Sequence, residues 1–238
     1  MDLHIHSCLS PCADDTMTPR AIVESATAAG LDWIGVADHN AADNTRAVRA
    51  AGSRVGLAVA AALEVTTREE VHLLAVFDDP EAALRLGEIV GERLVGLNDE
   101  RAFGRQLMVE EDGRIRGVHP RLLIGATTLS LPEMVARIRS LGGLVIASHV
   151  DRPSYSIVSQ LGFVPAGVEL DAVEVSPREA AQAAIWGERL GLPAVCFSDA
   201  HTPQDIGRVA TRMLLEAPAV EELRKALRGA DGRRVLAS

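Results

Sequence analysis

The stretch Asp2-Leu3-His4-Ile5-His6-Ser7 sets the reading of the whole chain. Polar and apolar residues alternate in it, as on a strand whose successive side chains point to opposite faces. His4 and His6 are therefore expected to project together, with Leu3 and Ile5 on the other side. Two imidazoles side by side make half a metal site. Taken alone, the pair is equally two hydrogen-bonded core histidines, and the rest of the chain decides between the two.

Outward from that strand, apolar runs alternate with helical patterns, the rhythm of an α/β fold. Thr18-Pro19 is an N-cap followed by proline at the first helical position, and Ser130-Leu-Pro-Glu133 is a capping box. Strands are expected at Trp33 to Ala37, Leu57 to Leu63, Val71 to Phe77, Leu144 to Ser148, Ala172 to Val175 and Pro193 to Phe197. Too few residues join the run ending at Glu64 to the one opening at His72 for a parallel crossover, so these two strands should pair antiparallel and bring Glu64 and His72 to one rim. A helix is expected from Pro80 to about Asn98, with Leu86, Val90, Leu94 and Leu97 facing inward. Residues 104–120, centred on Glu111-Asp112-Gly113, read as a small β-ribbon outside the main sheet.

The chain has 238 residues and 47% hydrophobic content, with no repeat or linker, which fits a single domain over 1–238. Its 24 basic and 33 acidic residues give a net charge of −9, from which no duplex nucleic acid is expected as a partner. Cys8, Cys12 and Cys196 are too few for a disulfide framework and suit a reducing, cytoplasmic setting. No signal sequence or spanning segment is evident, so a soluble protein with no membrane partner is expected.

The chemistry gathers at strand ends. Six of the seven histidines lie within two residues of one, with Asp38, Glu64 and Asp199 beside them. In barrels and open sheets, loops at the carboxyl ends of strands aim side chains across a common mouth. His4, His6, His39, Glu64, His72, His149, Asp199 and His201 are eight candidate ligands, and Asp14 or Asp15 is a ninth. That is more than one ion can use, so two or three ions or supporting residues are implied. Imidazole with carboxylate suits zinc, manganese or iron(II). Cys8 and Cys12 lie near enough to offer a thiolate, whereas Cys196 reads as a small buried hydrophobe.

In combination, DLHIHS at 2–7, ADDTMTP at 13–19, ADHN at 37–40, LEVTT at 63–67, VHLLAVF at 71–77, SHVDRPSYS at 148–156 and SDAHTP at 198–203 resemble the PHP (polymerase and histidinol phosphatase) domain over nearly the whole chain. The resemblance implies a distorted seven-stranded (β/α)7 barrel, TIM-barrel-like, with a trinuclear site. His4, His6 and Asp199 would hold the first ion, and Glu64 would bridge to a second held with His72 and His149. Asp14, His39 and His201 would hold the third; an insertion around Cys12 departs from the shorter family loop.

Such a site implies a hydrolase of phosphoric esters: water activated between ions attacks phosphorus, and the substrate is a small phosphate monoester such as a nucleotide or metabolite. Arg152 is a candidate phosphate clamp, Tyr155 a donor to substrate or leaving group, and Asp38 an orienting group for an imidazole. Asn40, Ser7 and Glu174 are weaker candidates. The alternatives are a short-oligonucleotide exonuclease, a regulatory module held together by its ions, and an amidohydrolase. The last is disfavoured because the single lysine, Lys225, is remote from every strand-end motif.

Overall fold

The computed structural model describes residues 1–236. Its first strands are β1 (Asp2–Ile5), β2 (Trp33–His39), β3 (Ala58–Thr66) and β4 (His72–Phe77). A separate antiparallel ribbon of β5 (Leu107–Val109) and β6 (Ile115–Val118) interrupts them. Three further strands, β7 (Leu144–Ala147), β8 (Ala172–Val175) and β9 (Ala194–Cys196), complete a seven-stranded sheet of order β1-β2-β3-β4-β7-β8-β9. All neighbours are parallel except β4, which runs antiparallel to both β3 and β7. The sheet curls until the chain beyond β9 meets β1, where the His6 N–H donates to the Ala200 carbonyl at 3.0 Å. The buried Asp2 carboxylate holds the same seam by accepting from the Ser198 and Gly207 N–H groups at 3.0 and 3.1 Å. The result is the distorted seven-stranded barrel, one strand reversed.

Helices α1 (Pro19–Ala28), α2 (Thr45–Ser53), α3 (Pro80–Gly91), α4 (Glu100–Phe103), α5 (Leu131–Ser140), α6 (Ile157–Leu161), α7 (Ala183–Leu190) and α8 (Val220–Arg228) connect or follow the strands. Local chemistry explains several starts. The Thr18 hydroxyl accepts from the Ala21 N–H ahead of Pro19, and the capping box at Ser130 is formed with Glu133. Ala60, Ala62, Leu74, Val76, Leu144, Ile146, Ala172, Val195 and Phe197 fill the barrel interior, plugged from below by Val220, Leu223 and Leu227 of α8. The other faces of the strands pack on the surrounding helices, through Ile22, Val23 and Val48 on one side and Leu86, Val90, Met134 and Ile138 on the other. Among the described residues no helix is long and apolar enough to cross a membrane.

Two local expectations are corrected. Leu3 and Ile5 do not share a face: the β1–β2 register slips between Asp2↔Ile34 and Ile5↔Val36, and this bulge puts Leu3 in the interior cluster and Ile5 in the outer one. Gly35 permits it, since a Cβ there would lie 2.5 Å from the Leu3 carbonyl oxygen. Helix α3 ends at Gly91, because two glycines weaken its last turns and Leu94 and Leu97 instead form antiparallel bridges to Thr127 and Arg121; Leu97 is exposed. After β8, a 3-10 turn over Pro177–Gln182 leads into α7.

Candidate metal centre

The barrel geometry determines which strand ends converge. Parallel strands deliver their last residues to the upper rim, and reversed β4 delivers its first, so His39 and Glu64 face His72 across β2, β3 and β4. Glu64 sits at the middle. Its Oε1 lies 3.0 Å from His72 Nδ1 and 2.9 Å from His149 Nε2. Its Oε2 lies 3.5, 3.4 and 3.3 Å from His4 Nε2, His6 Nε2 and His39 Nδ1. Asp199 Oδ1 stands 3.5 Å from His4 Nε2 and 3.2 Å from His6 Nε2, while its Oδ2 takes the Arg152 guanidinium.

Among the described residues, three groups bring ligand atoms within 4.8 Å of one another: His4, His6, Glu64 and Asp199; His39, Glu64 and His72; and His6, Cys12, His39 and His201. The first is entirely buried and fits a divalent ion on two counts. His4 Nε2 is buried without a hydrogen-bond partner, a costly state that metal ligation relieves. The 3.2–3.5 Å separations of His4 and His6 from Glu64 and Asp199 match the edge of about 3.4 Å between donors bound at about 2.1 Å to one tetrahedral ion.

The ring nitrogens turned away from this cluster are held, which orients the rings. His4 Nδ1 lies 3.0 and 2.9 Å from the two oxygens of buried Glu174, so it carries a proton and Nε2 is the nitrogen turned inward for an ion to take. Ser10 Oγ donates to Asp38 Oδ1 at 2.7 Å and accepts from the His39 N–H. Its remaining lone pair accepts from His6 Nδ1 at 2.9 Å, which again turns Nε2 inward. His201 Nδ1 donates to the Asp199 carbonyl at 2.8 Å. Asp38 thus acts on His6 through Ser10, and also accepts from the Ser7 N–H and hydroxyl.

The electrostatics suit a cation. Burial works against charge on His4, yet Glu174, Glu64 and Asp199 lift its pKa well above the usual imidazole value. His6 reaches about 9, against burial, through Asp199 and Glu64. Glu64 and Asp199 resist burial and lie well below the usual carboxylate range because of the imidazoles around them. Burial drives His39 well below its usual value and His201 to about 4, leaving both neutral.

Not every expected residue arrives. Asp14 is exposed, its Oδ1 accepting from the Thr16 N–H at 2.8 Å, and Asp15 pairs with Arg105. Cys12, an exposed residue at the rim, instead brings its Sγ within 4.8 Å of ligand nitrogens of His6, His39 and His201, while Cys8 packs under the ribbon against the Leu107 carbonyl. Arg152 pairs with Asp199, whereas Asp151 is engaged by Ser176. Tyr155 is half-exposed at the rim with its ring stacked on His72 at 4.8 Å. Asn40 pins loops, donating to the Leu123 and Gly125 carbonyls and accepting from the Thr66 N–H. His149, Asp199, Asn40 and Tyr155 all have positive φ, a strained backbone concentrated around the mouth. The structure adds two residues that sequence reasoning underrated. Glu174 had a signal, a lone carboxylate in an apolar strand; Ser10 had none.

Residues 177–231, which include Asp199 and His201, match the PHP-associated family. A comparison with curated proteins gives no match. Among solved structures, the lesion-specific endonuclease EndoQ of Pyrococcus furiosus is similar, with 21% identity and a TM-score of 0.70 over 98% of this chain and 56% of that one. Endonuclease Q in complex with a 27-mer duplex carrying an abasic lesion at the active site matches at 20% identity and a TM-score of 0.70, over 98% and 57%. A two-domain protein from Bacteroides vulgatus containing a predicted PHP-like metal-dependent phosphoesterase matches at 17% identity and a TM-score of 0.54, over 95% and 61%. The chain spans a little over half the length of the Endonuclease Q chains. The expectation of no duplex nucleic acid is corrected by this likeness: net charge sums over the whole surface, whereas a structure of this fold holds a duplex at its active site. The resemblance to the PHP domain thus rests on a C-terminal family match and on a fold shared along almost the entire chain.

Proposed function

We propose that the chain is a metal-dependent hydrolase of phosphoric esters, acting as one unit with two or three zinc, manganese or iron(II) ions in its mouth. The observation that carries this reading is the convergence of unpaired His4 Nε2 with His6 Nε2, Glu64 and Asp199 at the spacing of tetrahedral ligands. Glu64, His72 and His149 would hold a second ion around the Glu64 bridge. Ions held there supply Lewis-acid charge and a water of lowered pKa. The protein's own residues do the rest. Glu174 fixes His4, and Asp38 with Ser10 fixes His6, so both Nε2 atoms stay aimed inward. Arg152, anchored at Asp199 and partly open to solvent, offers its free N–H groups to a phosphoryl oxygen. Tyr155 donates to substrate or leaving group from the rim.

The buried depth of the ligands suits a phosphate at the end of a small molecule, a nucleotide or metabolite monoester. A second reading, cleavage of a nucleic-acid phosphodiester, is favoured by the 98% coverage against Endonuclease Q. One panel tests both: p-nitrophenyl phosphate, nucleotides, short oligonucleotides and a duplex with an abasic site, each with zinc, manganese or iron. Metal-dependent turnover lost in His6→Ala with the fold retained is expected. A fully metal-loaded protein inactive on every ester would instead indicate a regulatory binding module.

A further inference from the structure

We infer that Cys12 is a thiolate ligand of this centre, completing with His39 and His201 a three-ligand position for a thiophilic divalent ion. The inference rests on the metal-centre reading above and concerns its outermost position. Cys12 Sγ lies within 4.8 Å of ligand nitrogens of His6, His39 and His201. His6 Nε2 stands between Asp199 at 3.2 Å and Glu64 at 3.4 Å, whereas His39 has Glu64 alone beside it at 3.3 Å, and we assign His39 with Cys12 and His201 to this position. His39 is 5% exposed and its buried Nδ1, 3.3 Å from Glu64 Oε2, makes no hydrogen bond, so this imidazole is buried without the partners that would satisfy it in the absence of an ion.

The loop is built to hold the sulfur there. The Ala13 N–H bonds to the Ser10 carbonyl at 3.0 Å and the Asp14 N–H to the His201 carbonyl at 2.9 Å, tying the residues after Cys12 to the histidine it would join. Gly104, at φ +92, lets the chain entering the ribbon close on the Pro11 carbonyl, where a Cβ would stand 2.8 Å away. The same turn directs the Asp14 carboxylate to the Thr16 N–H and solvent. On binding, the S–H bond breaks, a sulfur–metal bond forms and the proton leaves to water. One thiolate with two imidazoles leaves an open coordination position and favours zinc, iron(II) or cobalt over manganese and magnesium.

The test uses the full chain, stripped with chelator and titrated with cobalt(II), with metal equivalents measured in parallel. The wild type is expected to develop a near-ultraviolet thiolate-to-cobalt charge-transfer band. Cys12→Ser should lose the band and a single equivalent of zinc, and Cys12→Asp should regain the equivalent without the band. Cys8→Ser and Asp14→Asn should keep both, with circular dichroism confirming the fold throughout. A band or full zinc complement surviving in Cys12→Ser, or a wild type that loads cobalt without the band, overturns the inference. A wild type that takes up no metal refutes the metal-centre reading itself, and the inference with it.

Discussion

Glu174 offers the sharpest test of how the first ligand is held. It accepts from His4 Nδ1 through oxygens at 3.0 and 2.9 Å, in a site where both side chains are buried. Glu174→Gln keeps the volume and one oxygen acceptor but removes the charge. A charge-assisted hydrogen bond contributes about 1.5–3 kcal/mol and a neutral one about 0.5–1.5, so the change should weaken metal binding by about 1–1.5 kcal/mol, roughly tenfold. Glu174→Ala leaves the buried Nδ1–H unpaired and His4 free to change tautomer, so a loss nearer a hundredfold is expected. The assay is zinc affinity by chelator competition, with kcat/KM at saturating metal alongside. Affinity should fall in the order wild type, Glu174→Gln, Glu174→Ala. If Glu174→Ala bound zinc as the wild type does, or the order were reversed, Glu174 would not be orienting His4.

Arg152→Lys keeps the charge and loses the planar fork, so kcat/KM on phosphoesters should fall by about ten- to a hundredfold with metal content unchanged. Gly35→Ala drives a Cβ to 2.5 Å from the Leu3 carbonyl oxygen and should cost about 1–3 kcal/mol, seen as a lower urea midpoint at unchanged slope. The chelated protein should be most stable near pH 6.5. His6, raised from 6.5 to about 9, contributes fully below 6.5 and loses that contribution as pH rises through 9. His201, lowered from 6.5 to about 4, contributes above 6.5 and loses that contribution as pH falls through 4. A melting temperature rising steadily from pH 5 to 9 in the chelated protein would contradict both assignments.

Strand identities, the reversal of β4 and the gathering of histidines at one rim were legible in the sequence because each depends on local quantities: alternation, capping residues and the length of a connection. About half a dozen residues joining two apolar runs leave little choice of topology, and an imidazole one residue past a strand has few places to point. What bears on the centre across the barrel was not legible. His4 meets Glu174, 170 residues away, and His6 meets Asp199, 193 residues away, so the holding of each ring is visible only once the seam at Ala200 closes. The bulge that separates Leu3 from Ile5 needs the backbone space at Gly35, which strand periodicity does not encode. Cys12 and Asp14 are two residues apart with similar claims to a ligand position, and only the turn bonded to His201 decides which approaches the histidines. Net charge misled for a related reason, being a sum that carries no position. The sequence alone determined which residue types reach the mouth; the closed barrel decided which atoms meet there, because side-chain direction at a strand end depends on every bond that closes the ring.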